Sequence, residues 1–202
     1  MTAHSKHLSA DERRAVTVAT VVGLAAEQNP SSITTASIAQ RMGVTQGALF
    51  RHFANKDAIL QAVISWISHS LFARIQEVAA GQDSTLAILR AIFAAHVDFV
   101  TRHPGVPRLV FGELQSADDS PQKLAVKAMT TAYGKALREY LQAGKANGEL
   151  AADLDVDAAA VQFLGMIQGL VIQSLIANDS LHVQRHADGV FALYARGIQG
   201  QV

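Results

Sequence analysis

The chain has 202 residues, of which 50% are hydrophobic and 6% aromatic, and this length is sufficient for one or two domains with a sizeable core. The 17 basic and 17 acidic side chains cancel, and residues 1–60 carry only a weak positive excess, so bulk charge gives slight support for a nucleic-acid partner. The absence of cysteine excludes disulfides, thiolate zinc sites and cysteine nucleophiles, and residues 1–14 lack the apolar segment of a secretory signal, so we expect a cytoplasmic protein.

Cap, glycine and proline signals predict about nine helices, and no strand pattern occurs between them. Ser9 and Glu12 have the spacing of a capping box, which predicts a first helix that ends near Gln28. Arg13 and Arg14 lie near the start of this helix, where we expect them to meet backbone phosphate. The other predicted helices cover about 34–42, 45–53, 55–81, 84–103, 107–115, 120–147, 153–177 and 181–196.

Residues 34–57 have the caps and the turn of a helix-turn-helix, a motif that places one helix in the major groove of DNA. Thr34 or Thr35 is suited to cap a first short helix, and Gly43 follows that helix where its end requires a residue that tolerates positive φ. Thr45 is suited to cap the second helix. An ordinary helical hairpin is the alternative, because caps and periodicity alone do not distinguish the two.

The outward face of the second helix carries groups that match the edges of bases. Leu49 and Phe53, four residues apart, are expected to face inward. The Gln46 amide can bond adenine N6 and N7 together, and Ala48 can contact a thymine methyl group. Gly47 allows the backbone to approach the DNA closely.

A second set of residues in the same stretch is suited to phosphate rather than to bases. Thr35, Thr45, Arg51 and His52 can reach phosphate oxygens, which fix register but carry no sequence information. Lys56 adds positive charge at the N-terminus of the next helix, where free N–H groups already attract an anion.

The stretch from Ile33 to Ile59, ITTASIAQRMGVTQGALFRHFANKDAI, resembles the N-terminal domain of tetracycline-repressor-like (TetR family) regulators, and the resemblance covers about residues 10–60. It implies an all-α homodimer with a three-helix DNA-binding domain, residues 1–56, and a helical effector-binding and dimerisation domain, residues 57–202. It further implies repression relieved by a small molecule.

Carried over by position, the resemblance places DNA contacts on a set of six residues: Thr35, Thr45, Gln46, Gly47, His52 and Lys56. The family usually has tyrosine where this chain has Phe50. Phenylalanine lacks the hydroxyl group that would bond phosphate, so we expect the Phe50 ring to pack instead.

Residues 158–178 contain no charged side chain. Such a segment is typical of a membrane span or of a helix that is buried on nearly all sides. Three glutamines within the segment and the acidic residues before it argue against a membrane. We therefore expect one face to pack on its own chain and the other to meet the same helix of a second chain across a twofold axis, with the last helix completing the interface. The predicted interface comprises Val161, Gly165, Gly169, Ile172, Val183, Val190, Leu193 and Tyr194.

Residues 84–147 are expected to enclose a site for a small, largely apolar effector, within which His96 and Tyr133 would orient the ligand. A filled core is the alternative interpretation of the same residues. The candidate lining residues are Phe72, Phe93, His96, Val97, Val100, Leu109, Phe111, Met129 and Tyr133.

The sequence contains no phosphate loop after a strand, no GxSxG and no HExxH motif, so we expect neither an enzyme nor a cofactor. His182 and His186 have the spacing of metal ligands, but exposed histidines without a metal are the preferred interpretation. The predicted function is a sequence-specific DNA-binding regulator, a repressor on a palindromic double-stranded operator. The alternative is a helical dimer that acts as a nucleoid or protein-interaction factor without effector control.

Overall fold

A computed structural model describes residues 9–115, 117–179 and 181–199, and within these ranges every regular element is helical. The all-α prediction is therefore confirmed. The nine α-helices of the described ranges are α1 (Ala10–Glu27), α2 (Thr35–Arg41), α3 (Gln46–Phe50), α4 (Lys56–Ala79), α5 (Thr85–Arg102), α6 (Gly105–Leu114), α7 (Pro121–Ala146), α8 (Val156–Ala177) and α9 (His182–Ile198), with a 3₁₀ turn at Pro30–Ser32.

The first helix begins at the predicted capping box. The Ser9 hydroxyl accepts from the backbone N–H of Glu12 at 3.2 Å, and the Glu12 carboxylate accepts from the backbone N–H of Ser9 at 2.8 Å. These bonds satisfy two N–H groups that have no partner inside the helix. The bond from the Ser9 backbone N–H to the carboxylate also lowers the pKa of Glu12 below its ordinary value.

The described residues divide into two compact units, one within residues 1–67 and 103–126 and the other within residues 68–102 and 127–202. The predicted domains, residues 1–56 and 57–202, are functional assignments that a division by packing does not test.

In the first unit, α6 packs directly on α1 through a glycine. A Cβ atom at Gly105 would lie 2.0 Å from the Val22 carbonyl oxygen and 3.1 Å from the Ala25 Cβ. Real Cβ atoms essentially never approach other heavy atoms within 3.0 Å. Only glycine therefore allows the two helices to approach this closely.

In the second unit, α9 packs against α5 and α8 around a cluster of aromatic rings. The ring of Phe163 lies 5.8 Å from that of Phe93 and 5.6 Å from that of Tyr194, both edge to face, an arrangement that aromatic pairs favour. The buried Tyr194 hydroxyl donates to the Ala159 carbonyl at 3.1 Å, which satisfies the one polar atom of the cluster.

Within the described residues, α4 and α8 are long and apolar enough to cross a membrane by length and composition. The core helices of soluble proteins pass the same test, so this finding is weak evidence for a membrane span.

Candidate functional site

The helix-turn-helix has the local geometry that its sequence predicts. The Thr34 hydroxyl accepts from the Ser37 backbone N–H at 3.1 Å, so Thr34 rather than Thr35 caps α2. Gly43 has a φ of +65°, which bends the chain after α2. The Thr45 hydroxyl accepts from the Ala48 backbone N–H at 3.1 Å and so caps α3 as predicted.

The candidate base-reading face of α3 is open to solvent. Gln46 and Gly47 are exposed, Ala48 is partly buried, and Leu49 is buried beneath them. The Gln46 Nε2 donates one hydrogen bond to the Thr35 hydroxyl at 3.2 Å. This bond limits the orientations of the Gln46 side chain, and it leaves the second Nε2 hydrogen and Oε1 for a base.

The candidate phosphate-binding residues lie around this face. Arg51 is exposed, whereas Thr35, His52 and Lys56 are partly buried. The Asn55 side chain accepts from the Ala58 backbone N–H at 2.8 Å and caps α4, so Lys56 is the first residue of that helix. The cation therefore lies at the positive end of a long helix, the arrangement that attracts phosphate.

Arg14 has a role in the first unit that the sequence does not predict. Its Nη1 donates to the His52 carbonyl at 2.7 Å, and its guanidinium lies 4.5 Å from the centre of the Phe53 ring. Arg14 thus connects α1 to the segment that follows α3, whereas the sequence predicts a contact with backbone phosphate. No signal in the sequence identifies this contact, because it joins residues 38 positions apart.

The prediction that Phe50 packs against its neighbours is wrong. Its side chain is 43% exposed, whereas Phe53, three residues further on, is 3% exposed. The two rings differ because Leu49 and Phe53 already occupy the inward face of this segment, and Phe50 follows Leu49 by one residue.

Part of the predicted effector site comes together in the second unit. The His96 Nδ1 and the Tyr133 hydroxyl oxygen lie 3.2 Å apart, and the Phe72 ring lies edge-on to that of Tyr133 with a centroid distance of 6.0 Å. Burial lowers the pKa of His96 to about 4 and raises the pKa of the Tyr133 phenol above its ordinary value. Both groups are therefore neutral near pH 7.

The remaining candidate lining residues are distributed more widely. Phe93, Val97 and Val100 are buried on α5, and Met129 is partly buried on α7. Leu109 and Phe111 belong to α6, in the first unit.

A half-open cleft of about 180 Å³ lies between α5 and α9 in the second unit. It is smaller than a typical small-molecule site, which encloses roughly 300–1,000 Å³. Only Phe93 and Val97 of the predicted lining set border this cleft, and the remaining lining residues are Arg90, Ala94, Asp98, Gln184, Ala187, Asp188 and Phe191.

Most residues of the predicted dimer interface are exposed or partly exposed, so the interface stays a prediction at these positions, and at two buried positions it is wrong. Val161 and Leu193 are each 65% exposed, and Gly165, Gly169 and Ile172 are also exposed. Val190 is partly buried.

Val183 and Tyr194 are corrections to that interface, at 4% and 1% exposure. The Tyr194 ring packs on Phe163 and its hydroxyl is bonded to α8, and Val183 is likewise buried within the chain. Neither side chain therefore has surface for a second chain. The apolar surface also includes residues that the prediction omits, namely Leu175, Ile176 and Leu181.

The rings of His182 and His186 lie 4.6 Å apart on α9. The nearby Asp179 carboxylate accepts from the Leu181 backbone N–H, which lowers its pKa, and its pairing with Arg185 at 3.0 Å lowers the pKa further. Among the residues that the structure describes, no three histidine or acidic side chains form a group that could hold a metal ion.

Two family models match the chain. Residues 19–63 match the bacterial regulatory proteins of the tetR family, and residues 82–172 match the tetracyclin repressor-like C-terminal domain. The first match contains α2, the turn and α3, together with the second half of α1 and the start of α4.

Individual proteins resemble the chain over most of its length. The nucleoid occlusion factor SlmA of Vibrio cholerae is 27% identical over 146 residues, which are 72% of this chain and 74% of that protein. The ketosteroid transcriptional regulator KstR2 of Mycobacterium tuberculosis superposes with a TM-score of 0.78 at 22% identity, covering 94% of this chain and 96% of the other. The regulator FadR from Bacillus subtilis, in complex with stearoyl-CoA, superposes with a TM-score of 0.79 at 19% identity, covering 92% and 99%. At these identities the superpositions establish the fold.

Proposed function

The chain belongs to the TetR family of DNA-binding transcription regulators, and from this premise we propose that it represses transcription at a palindromic operator until a small, largely apolar effector releases it. The observation that carries the proposal is the short capped helix α3, whose exposed Gln46 and Gly47 lie above a buried Leu49. Such a helix can enter the major groove without exposing the core of its unit.

Gln46 is the proposed base-reading residue. With one Nε2 hydrogen held by the Thr35 hydroxyl, the other hydrogen and Oε1 are positioned as a donor and an acceptor side by side. Adenine presents the complementary pair, N7 and N6–H, in the major groove. Thr35, Thr45, Arg51, His52 and Lys56 would bind the flanking phosphates, and Ala48 would contact a thymine methyl group.

The exposed aliphatic surface on α8 and α9 supports a homodimer. Val161, Ile172 and Ile176 are exposed at spacings that place them on one face of α8, and a run of exposed aliphatic side chains along one helix face is typical of an interaction surface. The exposed Gly165 and Gly169 permit close approach of a second α8. A twofold pair of chains presents two α3 helices and so requires a palindrome, with half-sites about 10 base pairs apart.

The His96–Tyr133 pair supports an effector site in the second unit. Both groups are neutral, and a hydroxyl or imidazole beside the edge of Phe72 can orient a largely apolar ligand through one or two hydrogen bonds. If the effector weakens DNA binding by a given factor, then operator DNA must weaken effector binding by the same factor.

Selection of bound fragments from random double-stranded DNA tests the main proposal. We expect the wild-type chain to enrich one palindrome and the Gln46→Ala variant to lose preference at one base pair in each half-site. A single half-site duplex serves as the control and should bind much more weakly than the palindrome. Failure to enrich any sequence would refute the proposal.

A second candidate function is that of a nucleoid-associated factor without effector control. The 27% identity to the nucleoid occlusion factor SlmA favours it. Mapping of the chain on the chromosome distinguishes the two. Few sites beside promoters support the regulator, whereas many sites dispersed over the chromosome, with no change in transcription on deletion of the gene, support the nucleoid factor.

A further inference from the structure

The ring of Phe50 is an exposed apolar group on a surface that is otherwise polar or small. Phe50 is the last residue of α3 and lies four positions after Gln46, so the two side chains share one face of the helix. Its side chain is 43% exposed, and the two apolar residues that hold α3 inward, Leu49 and Phe53, are 2% and 3% exposed. The fold is therefore anchored without Phe50.

An exposed phenyl ring has no donor or acceptor with which to bind phosphate. The groups around it supply that function, because Arg51 is exposed immediately after it and Thr45 caps the start of the same helix. In the major groove, the Phe50 ring can therefore contact only an apolar group of the DNA. The C5-methyl group of thymine is the one apolar group that base edges present there.

We propose that Phe50 determines specificity by packing its ring against the C5-methyl group of one thymine in each half-site. The inference rests on the proposed function, since it requires that the face carrying Gln46 enters the major groove. Phe50 reads a base that lies about one helical turn of α3 away from the base read by Gln46, a separation of about 6 Å along the helix axis.

The experiment replaces each thymine of the selected palindrome in turn by deoxyuridine, which removes only the methyl group. Binding of the wild-type chain is measured by fluorescence anisotropy at fixed salt. Besides the thymine that Ala48 would contact, we expect one further position per half-site at which the loss of the methyl group weakens binding about fourfold, the effect of one methyl-sized group returned to water.

Three variants assign that methyl group to a side chain. Phe50→Ala should bind the thymine and deoxyuridine duplexes equally at this position, and Phe50→Tyr, which keeps the ring, should retain the discrimination. Ala48→Gly is the matched control because Ala48 is the other candidate for a methyl contact, and it should leave this position unaffected. Phe50 is exposed and Ala48→Gly removes only one methyl group, so circular dichroism should show all three variants folded.

The outcomes separate this inference from the proposed function. If Gln46→Ala loses its base preference while Phe50→Ala discriminates every thymine from deoxyuridine as the wild type does, Phe50 is not a reading residue and the regulator stands. If the wild-type chain selects no sequence, both fail.

Discussion

The contact between Gly105 and α1 allows a sharp test of the packing in the first unit. Gly105→Ala adds a single methyl group at the start of α6, where it would lie 2.0 Å from the Val22 carbonyl oxygen and 2.9 Å from the Ala26 backbone nitrogen. These are backbone atoms of a helix, so they cannot rotate away as the end of a long side chain can. The two helices must move apart by about 1 Å or the start of α6 must unwind.

The expected cost follows from two opposing terms. Overpacking of a well-packed core by one methyl-sized group costs about 3 kcal/mol at the upper end of the usual range. Replacing glycine by alanine in a helix returns about 1 kcal/mol. The net loss of about 2 kcal/mol corresponds to a fall in Tm of about 4–8 °C for a chain of this length.

Gly112→Ala is the matched control on the same helix. A Cβ at Gly112 would meet only the Pro30 Cβ at 3.9 Å, an ordinary contact, so only the helix-forming term remains. We expect its Tm to rise by about 2–4 °C. Both variants are melted by circular dichroism at one protein concentration, because association stabilises a folded chain. A Gly105→Ala variant as stable as Gly112→Ala would show that α1 and α6 do not approach each other as described.

The other predictions concern binding, association and pH. Gln46→Ala should weaken binding to the operator by about 1–3 kcal/mol and change binding to random DNA little. Lys56→Ala should weaken binding to both DNAs alike and reduce the salt dependence of binding, measured by titrations at several salt concentrations. Equal losses of affinity for both DNAs in Gln46→Ala would contradict its base-reading role. The double variant Val161→Glu, Leu193→Glu should be monomeric at micromolar concentration, whereas the wild type should be a dimer, as measured by light scattering. A monomeric wild type would refute the interface. Between pH 6.5 and 4, the unfolded chain binds a proton on His96 that the folded chain does not, so the free energy of unfolding falls as the pH is lowered. In urea titrations, the free energy of unfolding of the wild type should fall by up to about 3 kcal/mol more than that of His96→Gln between pH 7 and 4. Equal decreases for both proteins would exclude a buried neutral imidazole.

Much of the local structure follows from the sequence because its causes are local. Ser9, Thr34 and Thr45 cap the helices that their side-chain chemistry favours, and Gly43 has the positive φ that the turn requires. A cap involves atoms three residues apart, so composition and spacing are sufficient to predict it.

The errors concern what a side chain packs against. Periodicity places Tyr194 on the apolar face of α9, but it does not show whether this face packs on its own chain or on a second one. In the structure, the Tyr194 ring is buried beside Phe163 of the same chain. The contact of Arg14 with Phe53 and the close approach at Gly105 likewise join residues far apart in the chain. Such contacts depend on how helices are placed, which no short window of sequence determines.

The exposed aliphatic residues of α8 and α9 and the exposed Gln46 of α3 lie on different helices, so a mutation in one set leaves the other intact. An allele that encodes Gln46→Ala should therefore be dominant negative. If those aliphatic residues form the proposed dimer interface, its product would still associate with normal subunits, and at equal expression roughly one quarter of the pairs would carry two unaltered reading helices. A normal gene copy in the same cell would then be insufficient to restore full control.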